Sequence, residues 1–415
     1  MDRLRRLSII QIVTVSLLFS NITQSYADKH PIVIIPGDGG CQAYCKLKNS
    51  TSPPFLVWIN LRYFLEPGKL SEYFGLVYDP VTKTSRDPED ADVLFPGWGE
   101  TWSIENLDSY KHGKTQYCAP IIESLRLDPY FKSNFTMRGA PFDFRKAPNE
   151  NNQFVDKLKL LIEETFRNGG NQPVVLVGHS LGAKYALFFL KSMTKSWKRL
   201  YIKTFVSLSA PLGGSVKALK IEASGDNFGM FIRSPLSFRP VQRTLPSLAF
   251  LLPDPRLWSP AEPLIVTPTT NYSAHDYERF FYDINYTVGY QMLLDSKSTV
   301  DAFEKPTDID DIYCIHGSNI STTDRMIYSP PSFFHSAFPD QVPTLIPGNG
   351  DGTVSLRSLE VCKNWSGVKY YILPGAEHVN IMGDSRFIDI IRQIVGAVNI
   401  TQKQTTKHSV NDQNV

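Results

Sequence analysis

The stretch Val174-Val175-Leu176-Val177-Gly178-His179-Ser180-Leu181-Gly182 constrains this chain most. A β-branched apolar run ends in Gly-x-Ser-x-Gly, and an apolar segment of helical spacing follows. That is the form of a tight strand-to-helix turn. Such a turn pushes its serine out above a sheet, and glycines stand where a side chain would collide with backbone. The pattern is weak alone, so its surroundings matter. Gln172-Pro173 breaks the chain before residues 174–177, which read as a buried strand. Leu181, Tyr185, Phe188, Phe189 and Met193 then recur at helical spacing. Upstream, Phe154, Leu158, Leu161, Ile162 and Phe166 predict an amphipathic helix, opened by Asn151 and Asn152 and closed by Gly169-Gly170. Residues 204–208 read as the next buried strand. Helix, strand, turn, helix, strand predicts an α/β parallel sheet.

The ends of the chain suggest a compartment. Arg3, Arg5 and Arg6 precede an apolar run over residues 7–19, and Ser25-Tyr26-Ala27 offers small residues where a signal peptidase cuts. Residues 1–27 are therefore expected to be a secretory signal peptide. The apolar run is short of the ~20 residues that an uncleaved anchor needs. The remaining 388 residues carry 40 basic and 40 acidic side chains and show no basic stripe, so nucleic acid is not an expected partner. Asn-x-Ser/Thr sequons at Asn49, Asn134, Asn271, Asn285, Asn319, Asn364 and Asn399 suit a glycosylated protein of the secretory pathway, lysosomal or secreted. The five cysteines, Cys41, Cys45, Cys118, Cys314 and Cys362, leave at least one unpaired or intermolecular thiol. No Cys/His spacing suits zinc, and neither a metal nor a cofactor is expected. Residues 402–415 are polar and read as a disordered tail.

A serine hydroxyl needs a base within hydrogen-bond reach, and the base needs an orienting acid. After a turn of this kind they follow in the order Ser, Asp or Glu, His. His275, His316, His335, His378 and His408 follow Ser180. His378 is the best placed: residues 368–373 predict a strand, Pro374 to His378 a loop leaving it, and residues 387–398 a helix. Asp351 is the expected acid, in residues 347–354, which read as a tight loop after an apolar segment ending at Ile346. A calcium loop would need further acidic residues at fixed spacing; Asp340 is the second choice of acid. An oxyanion would be met by the backbone N–H of Leu181 and of Asp38 or Gly39, in the loop after the early strand Ile32-Val33-Ile34-Ile35. A phosphate-cradling loop is not expected, since neither G-x-G-x-x-G nor a Walker lysine follows.

Taken in order, several motifs resemble the lecithin:cholesterol acyltransferase family. They are residues 31–37, Phe95-Pro96-Gly97-Trp98-Gly99, Arg138-Gly139-Ala140-Pro141-Phe142-Asp143-Phe144-Arg145, the Ser180 turn, residues 205–211, Trp258-Ser259-Pro260 and the Asp351 and His378 loops. The lysosomal phospholipase A2 branch is most similar, through Ala147-Pro148-Asn149-Glu150-Asn151, Ser224-Gly225-Asp226-Asn227 and Pro268-Thr269-Thr270-Asn271-Tyr272. The resemblance implies an α/β-hydrolase fold with a cap domain and a small membrane-binding subdomain. It implies transfer of an acyl chain from a glycerophospholipid, through an acyl-serine, to water or a lipophilic alcohol. It places Asp38 in the oxyanion loop and matches Cys314 and Cys362 to a disulfide pair.

The implied layout is hydrolase core over 28–45, a membrane-binding or lid segment over 46–79, and core with the serine turn over 80–215. A cap over 216–310 follows, too long for a loop, and then core with acid and base over 311–401. The expected partners are a phospholipid membrane or lipoprotein surface and a lipid alcohol acceptor, for a monomeric protein. The segment after the first strand is shorter than in the family, Cys41 stands where Asn is usual, and Gly39 replaces a commoner Leu. A Cys41–Cys45 or Cys45–Cys118 link stays open. Nine of the eleven residues from Phe55 to Leu65 are apolar or aromatic. They read as a helix, either buried or lying in a lipid interface, with Phe55, Leu56, Val57 and Trp58 as the lipid contact. Two rival readings are a neutral-lipid or cholesteryl-ester lipase and a catalytically silent hydrolase fold used for binding. The intact Ser-Asp-His order speaks against the second.

Overall fold

Six short runs pair into a wholly parallel sheet: β1 (Ile32–Ile35), β2 (Met137–Gly139), β3 (Val174–His179), β4 (Ile202–Leu208), β5 (Asp311–Ser318) and β6 (Lys369–Pro374), in the spatial order β6-β5-β4-β3-β1-β2. The computed structural model describes residues 29–108, 115–229 and 233–397, without the side chain of Asn152. The expected leader, Asn399 and the tail over 402–415 lie outside the described residues. A parallel sheet needs crossover helices that cover both faces, so its central strands are apolar throughout. Accordingly β1 and β3 are buried at every position. The helix Asn152–Asn168 leads from β2 to β3 and the helix Leu181–Ser192 from β3 to β4. The expected strands and helices of this core are all present. The last helix is Ser385–Ile394, earlier and shorter than the predicted 387–398, because Asp384 caps it by accepting from the Arg386 amide.

Two smaller sheets flank the core. Ala43–Leu47 pairs antiparallel with both Phe55–Trp58 and Ala91–Leu94, so this sheet straddles the expected boundaries at 45 and 79. Residues 55–65 are not one helix. Phe55–Trp58 is a strand and Leu61–Leu65 a separate short helix, capped by the Asn60 side chain. Apolar content without strict helical spacing does not separate the two outcomes; strand pairing decided it. Val57 and Trp58 are buried, and the Phe55 ring packs on Tyr63 and Tyr73. The expected lipid contact at Val57 and Trp58 is therefore corrected. Leu61 and Leu65 face water instead, 66% and 39% exposed.

The second flanking sheet joins Ile320–Ile327 and Thr344–Gly350 as an antiparallel hairpin, with Ile265–Val266 and Asn271–Tyr272 beside it. Residues 347–350, read as part of a loop, thus belong to a strand that delivers Asp351. Besides the short strands Ile265–Val266 and Asn271–Tyr272, the described part of residues 216–310 holds short helices, among them Val216–Ser224, Pro246–Phe250 and Thr287–Ser296. Arg145 fastens the segment around residues 74–87 to the core. Its guanidinium is buried against Asp143 (2.8 Å) and Asp87 (2.7 Å) and donates to the Phe74 carbonyl. A buried cation needs such pairing to offset its lost hydration. Cys314 and Cys362 form a disulfide, whereas Cys41, Cys45 and Cys118 are buried free thiols. Both links left open at the N-terminal end are thereby excluded. The six sequon asparagines among the described residues are exposed.

Candidate active site

The carboxyl edge of the parallel sheet gathers the chemistry, as open α/β sheets tend to do. Ser180 follows β3 with φ 53° and ψ −125°, a conformation that non-glycine residues rarely adopt. The turn is held from several sides. The Ser180 amide donates to the Leu208 carbonyl (2.9 Å). The next glycine has no room for a side chain, since a Cβ on Gly182 would lie 2.2 Å from the Pro36 carbonyl oxygen. The loop after β1 therefore packs directly on the elbow.

Ser180 Oγ lies 2.9 Å from His378 Nε2, and His378 Nδ1 lies 2.7 Å from Asp351 Oδ2. The other Asp351 oxygen accepts from the amides of Thr353 (3.1 Å) and Val354 (2.8 Å). Burial opposes ionisation of Asp351, but the His378 imidazole and these amides outweigh it and hold the carboxyl below its ordinary pKa. An ionised Asp351 fixes the proton on Nδ1, so Nε2 is free to accept from the serine hydroxyl. Among the described histidines, His378 alone meets Ser180. His275 reaches the Trp258 carbonyl and His316 bonds Gly317 and Tyr370. Asp340 pairs with Arg239 instead.

Leu181 follows the serine and is fully buried, and Asp38 lines the same cavity as Ser180. Asp38 opens onto the cavity above Ser180, reached by water yet walled by protein. That desolvation pushes its pKa up to about 6, with Lys217 and His378 pulling the other way.

A hydrogen-bonded chain that the sequence did not reveal runs beneath this site. The Gly37 amide donates to the Tyr117 hydroxyl (2.8 Å), which donates to His179 Nδ1 (2.5 Å). His179 Nε2–H donates to the His378 carbonyl (2.8 Å). Burial, then the nearby His378 ring, lower the His179 pKa to about 3, so the ring is neutral and its tautomer is set by these partners. The chain ties the β1 loop to the backbone of the catalytic-loop histidine. His179 was visible as the variable residue of the Gly-x-Ser-x-Gly pattern; Tyr117 carried no signal.

The cavity above Ser180 has a volume of about 290 Å³ and mostly apolar walls. Trp58 and Phe74 line it from the flanking segment and Phe144 from the core; Phe238, Val241 and Leu248 line it from residues 216–310. Trp58 explains the unusual Gly39. Its indole donates to the Gly39 carbonyl (2.9 Å), and Gly39 sits at φ +66°, where a Cβ would lie 2.8 Å from Trp58 Cζ2. The Gly39→Ala protein is therefore expected to lose about 1–3 kcal/mol of stability, for left-handed strain plus overlap. Thermal unfolding checks this, and an unchanged Tm refutes it. In a Trp58→Ala background the loss should shrink to the strain alone.

The parallel sheet, the strained serine turn and the Ser–His–Asp geometry at the sheet's carboxyl edge define an α/β-hydrolase. A solved structure described as the Tle4-Tli4 complex agrees in fold, with TM-score 0.52, 12% identity, and 88% of this chain and 97% of that chain covered. Residues 55–303 and 298–385 match the family model for lecithin:cholesterol acyltransferase, and the chain belongs to that family. It is 37% identical over 388 residues to the lysosomal phospholipase A and acyltransferase of Rattus norvegicus, covering 89% of this chain and 91% of that protein. It is 31% identical over 382 residues to the phosphatidylcholine-sterol acyltransferase of the same species, covering 88% and 84%.

Proposed function

We propose that this chain is a phospholipase A and acyltransferase that moves an acyl chain from a glycerophospholipid to water or a lipophilic alcohol. The carrying observation is an apolar cavity that opens onto Ser180 and His378, with Asp351 buried and hydrogen-bonded to His378 behind them, in a chain whose relatives bear those activities in their names. His378 Nε2 takes the Ser180 proton as Oγ attacks the ester carbonyl. The Leu181 and Asp38 amides meet the oxyanion, and His378 returns the proton to the leaving lysophospholipid. Water or an alcohol then repeats the sequence on the acyl-serine. Each methylene buried in the apolar cavity contributes about 0.8 kcal/mol, which holds the ester over Ser180 without polar recognition of the chain. Residues 216–310 act as the cap of this groove. Leu61 and Leu65 are the apolar side chains offered to a lipid surface. The disulfide and the exposed sequons suit a lysosomal or secreted location.

The test is incubation with phosphatidylcholine vesicles that also contain a long-chain alcohol, with triacylglycerol emulsions alongside. Free fatty acid and acylated alcohol from phospholipid are expected; release from triacylglycerol alone makes the protein a neutral-lipid lipase and sinks the proposal.

Asp38 sets a pH expectation. Its carboxyl is neutral below about 6 and becomes negative above it, beside the forming oxyanion. Ionisation raises the barrier in the wild type, on top of the pH dependence that the base His378 gives to wild type and variant alike. In Asp38→Asn that added penalty is absent, so the ratio of variant to wild-type kcat/KM should rise as pH passes through about 6. The rise is on the order of fivefold, because two unit charges about 4 Å apart interact by ~1 kcal/mol even in bulk water. A pH–rate series on a soluble ester reads the ratio directly; a flat ratio rules the effect out.

A further inference from the structure

A second, larger cavity of about 450 Å³ lies behind the catalytic elbow, with no contact to Ser180. Lys184, one turn into the helix that Ser180 opens, lines it. Only 6% of this lysine is exposed. Its ammonium has three protons to donate. Among the described residues it makes one long hydrogen bond, to the Phe250 carbonyl at 3.3 Å, and lies 4.0 Å over the Phe250 ring. Buried cations are ordinarily paired, because lost hydration must be replaced.

The nearby acid does not serve. Asp254 is held on both oxygens by Arg256, at 3.0 Å and 2.7 Å, and Arg256 also binds Asp301. Burial, only partly opposed by Asp254, lowers the Lys184 pKa to about 8, so the ammonium persists at neutral and acidic pH, and among the described residues no carboxylate pairs with it directly. The charged side chains around the cavity are Lys184, Arg256 and Lys297 with Asp254, Asp301 and Glu278, and among the described residues none of these acids forms an ion pair with Lys184. An anionic group would therefore be met by the spare protons of Lys184 and not by a net charge. The rest of the wall combines aliphatic side chains, among them Leu212, Leu252, Leu293 and Val300, with polar surface that includes His275, Tyr277 and Tyr290. The volume falls within the range of small-molecule sites.

We infer that this cavity binds a small aliphatic carboxylate, its carboxyl group on Lys184 and its chain along the apolar wall, at a site separate from the acyl cavity. The two cavities share a partition. Leu248 and Leu251 face the acyl cavity, while Phe250 and Leu252 face this one. An occupant on Lys184 therefore braces the back of the acyl groove, and its source is any free short-chain acid, including a product of ester cleavage.

Calorimetric titration with hexanoate tests the site, on the whole protein with Ser180 first labelled by a long-chain fluorophosphonate that fills the acyl groove. One saturable site is expected. It should persist after labelling, weaken at least tenfold in Lys184→Met, and weaken about threefold in the exposed-site variant Lys297→Ala. Hexanol, uncharged and of equal length, should bind at least tenfold more weakly than hexanoate. This comparison needs no variant and so decides the matter even if Lys184→Met fails to fold. Absence of saturable binding, loss of binding on labelling, equal binding of hexanol, or a folded Lys184→Met that titrates like the wild type overturns the inference. If the label fails to react, the proposed serine chemistry is in question, and the hexanoate and hexanol titrations on unlabelled protein still decide the cavity.

Discussion

Replacing Ser180 with alanine is expected to lower kcat on phospholipid by about 10⁶-fold, the loss seen when a serine hydrolase is deprived of its nucleophile. The geometry explains the size. Oγ lies 2.9 Å from His378 Nε2 and, among the described residues, is the hydroxyl hydrogen-bonded to that base. Without it no acyl-enzyme forms, and residual catalysis rests on the oxyanion donors and on substrate binding. The fold should survive, because alanine keeps the Cβ and meets the same strained φ of 53°. The cost is the single hydrogen bond to His378, about 1 kcal/mol. Fatty-acid release from vesicles, labelling by a fluorophosphonate and thermal unfolding together check the expectation. Full fatty-acid release from a folded Ser180→Ala protein would falsify the assignment of the nucleophile.

Asp351→Asn is expected to cost about 10⁴-fold in kcat while leaving the structure in place, as the corresponding exchange does in other triads. Asp351 accepts on Oδ1 from two amides and on Oδ2 from His378 Nδ1. An asparagine here keeps its oxygen on the two amides, because no acceptor stands there for an NH₂ group. The NH₂ must then face His378 Nδ1, which can only accept from it. The ring proton moves to Nε2, and a protonated Nε2 cannot take the serine proton. The loss therefore comes from a reversed tautomer and not from a displaced residue. The readouts are kcat on a soluble ester and the chemical shifts of the ring nitrogens. A folded variant with kcat within tenfold of wild type, or with the proton still on Nδ1, removes Asp351 from the role.

The elbow was legible because its determinants are local. A run of buried β-branched residues, two small residues and an apolar helix repeat all lie within about twenty positions, and each restricts the backbone by its own sterics. His378 and Asp351 were legible by chain order and by elimination among few candidates. The acid's setting was not. Residues 347–350 carry glycines and a proline that read as a turn, yet their cross-strand pairing with Ile320 to Thr323 makes them a strand. Such pairing partners are invisible until the chain has folded.

Trp58 marks the limit most clearly. An aromatic residue in an apolar run reads equally well as a lipid anchor or as core. Its strand pairs with Ala43–Leu47, which sets it over Gly39, and a residue noted only as a departure became the complement of its ring. The Gly37–Tyr117–His179–His378 chain joins four positions scattered along the sequence, and no spacing connects them.

The sequence by itself determined the parallel core, the strained serine, the order of acid and base, and the family, since each depends on short-range sterics or on residue identity. Only the tertiary structure decided which aromatic rings wall the acyl cavity, that the three N-terminal thiols stay free, and that Lys184 stands buried with donors to spare. Those outcomes depend on burial and on partners distant in the chain, and neither quantity exists before the chain has packed.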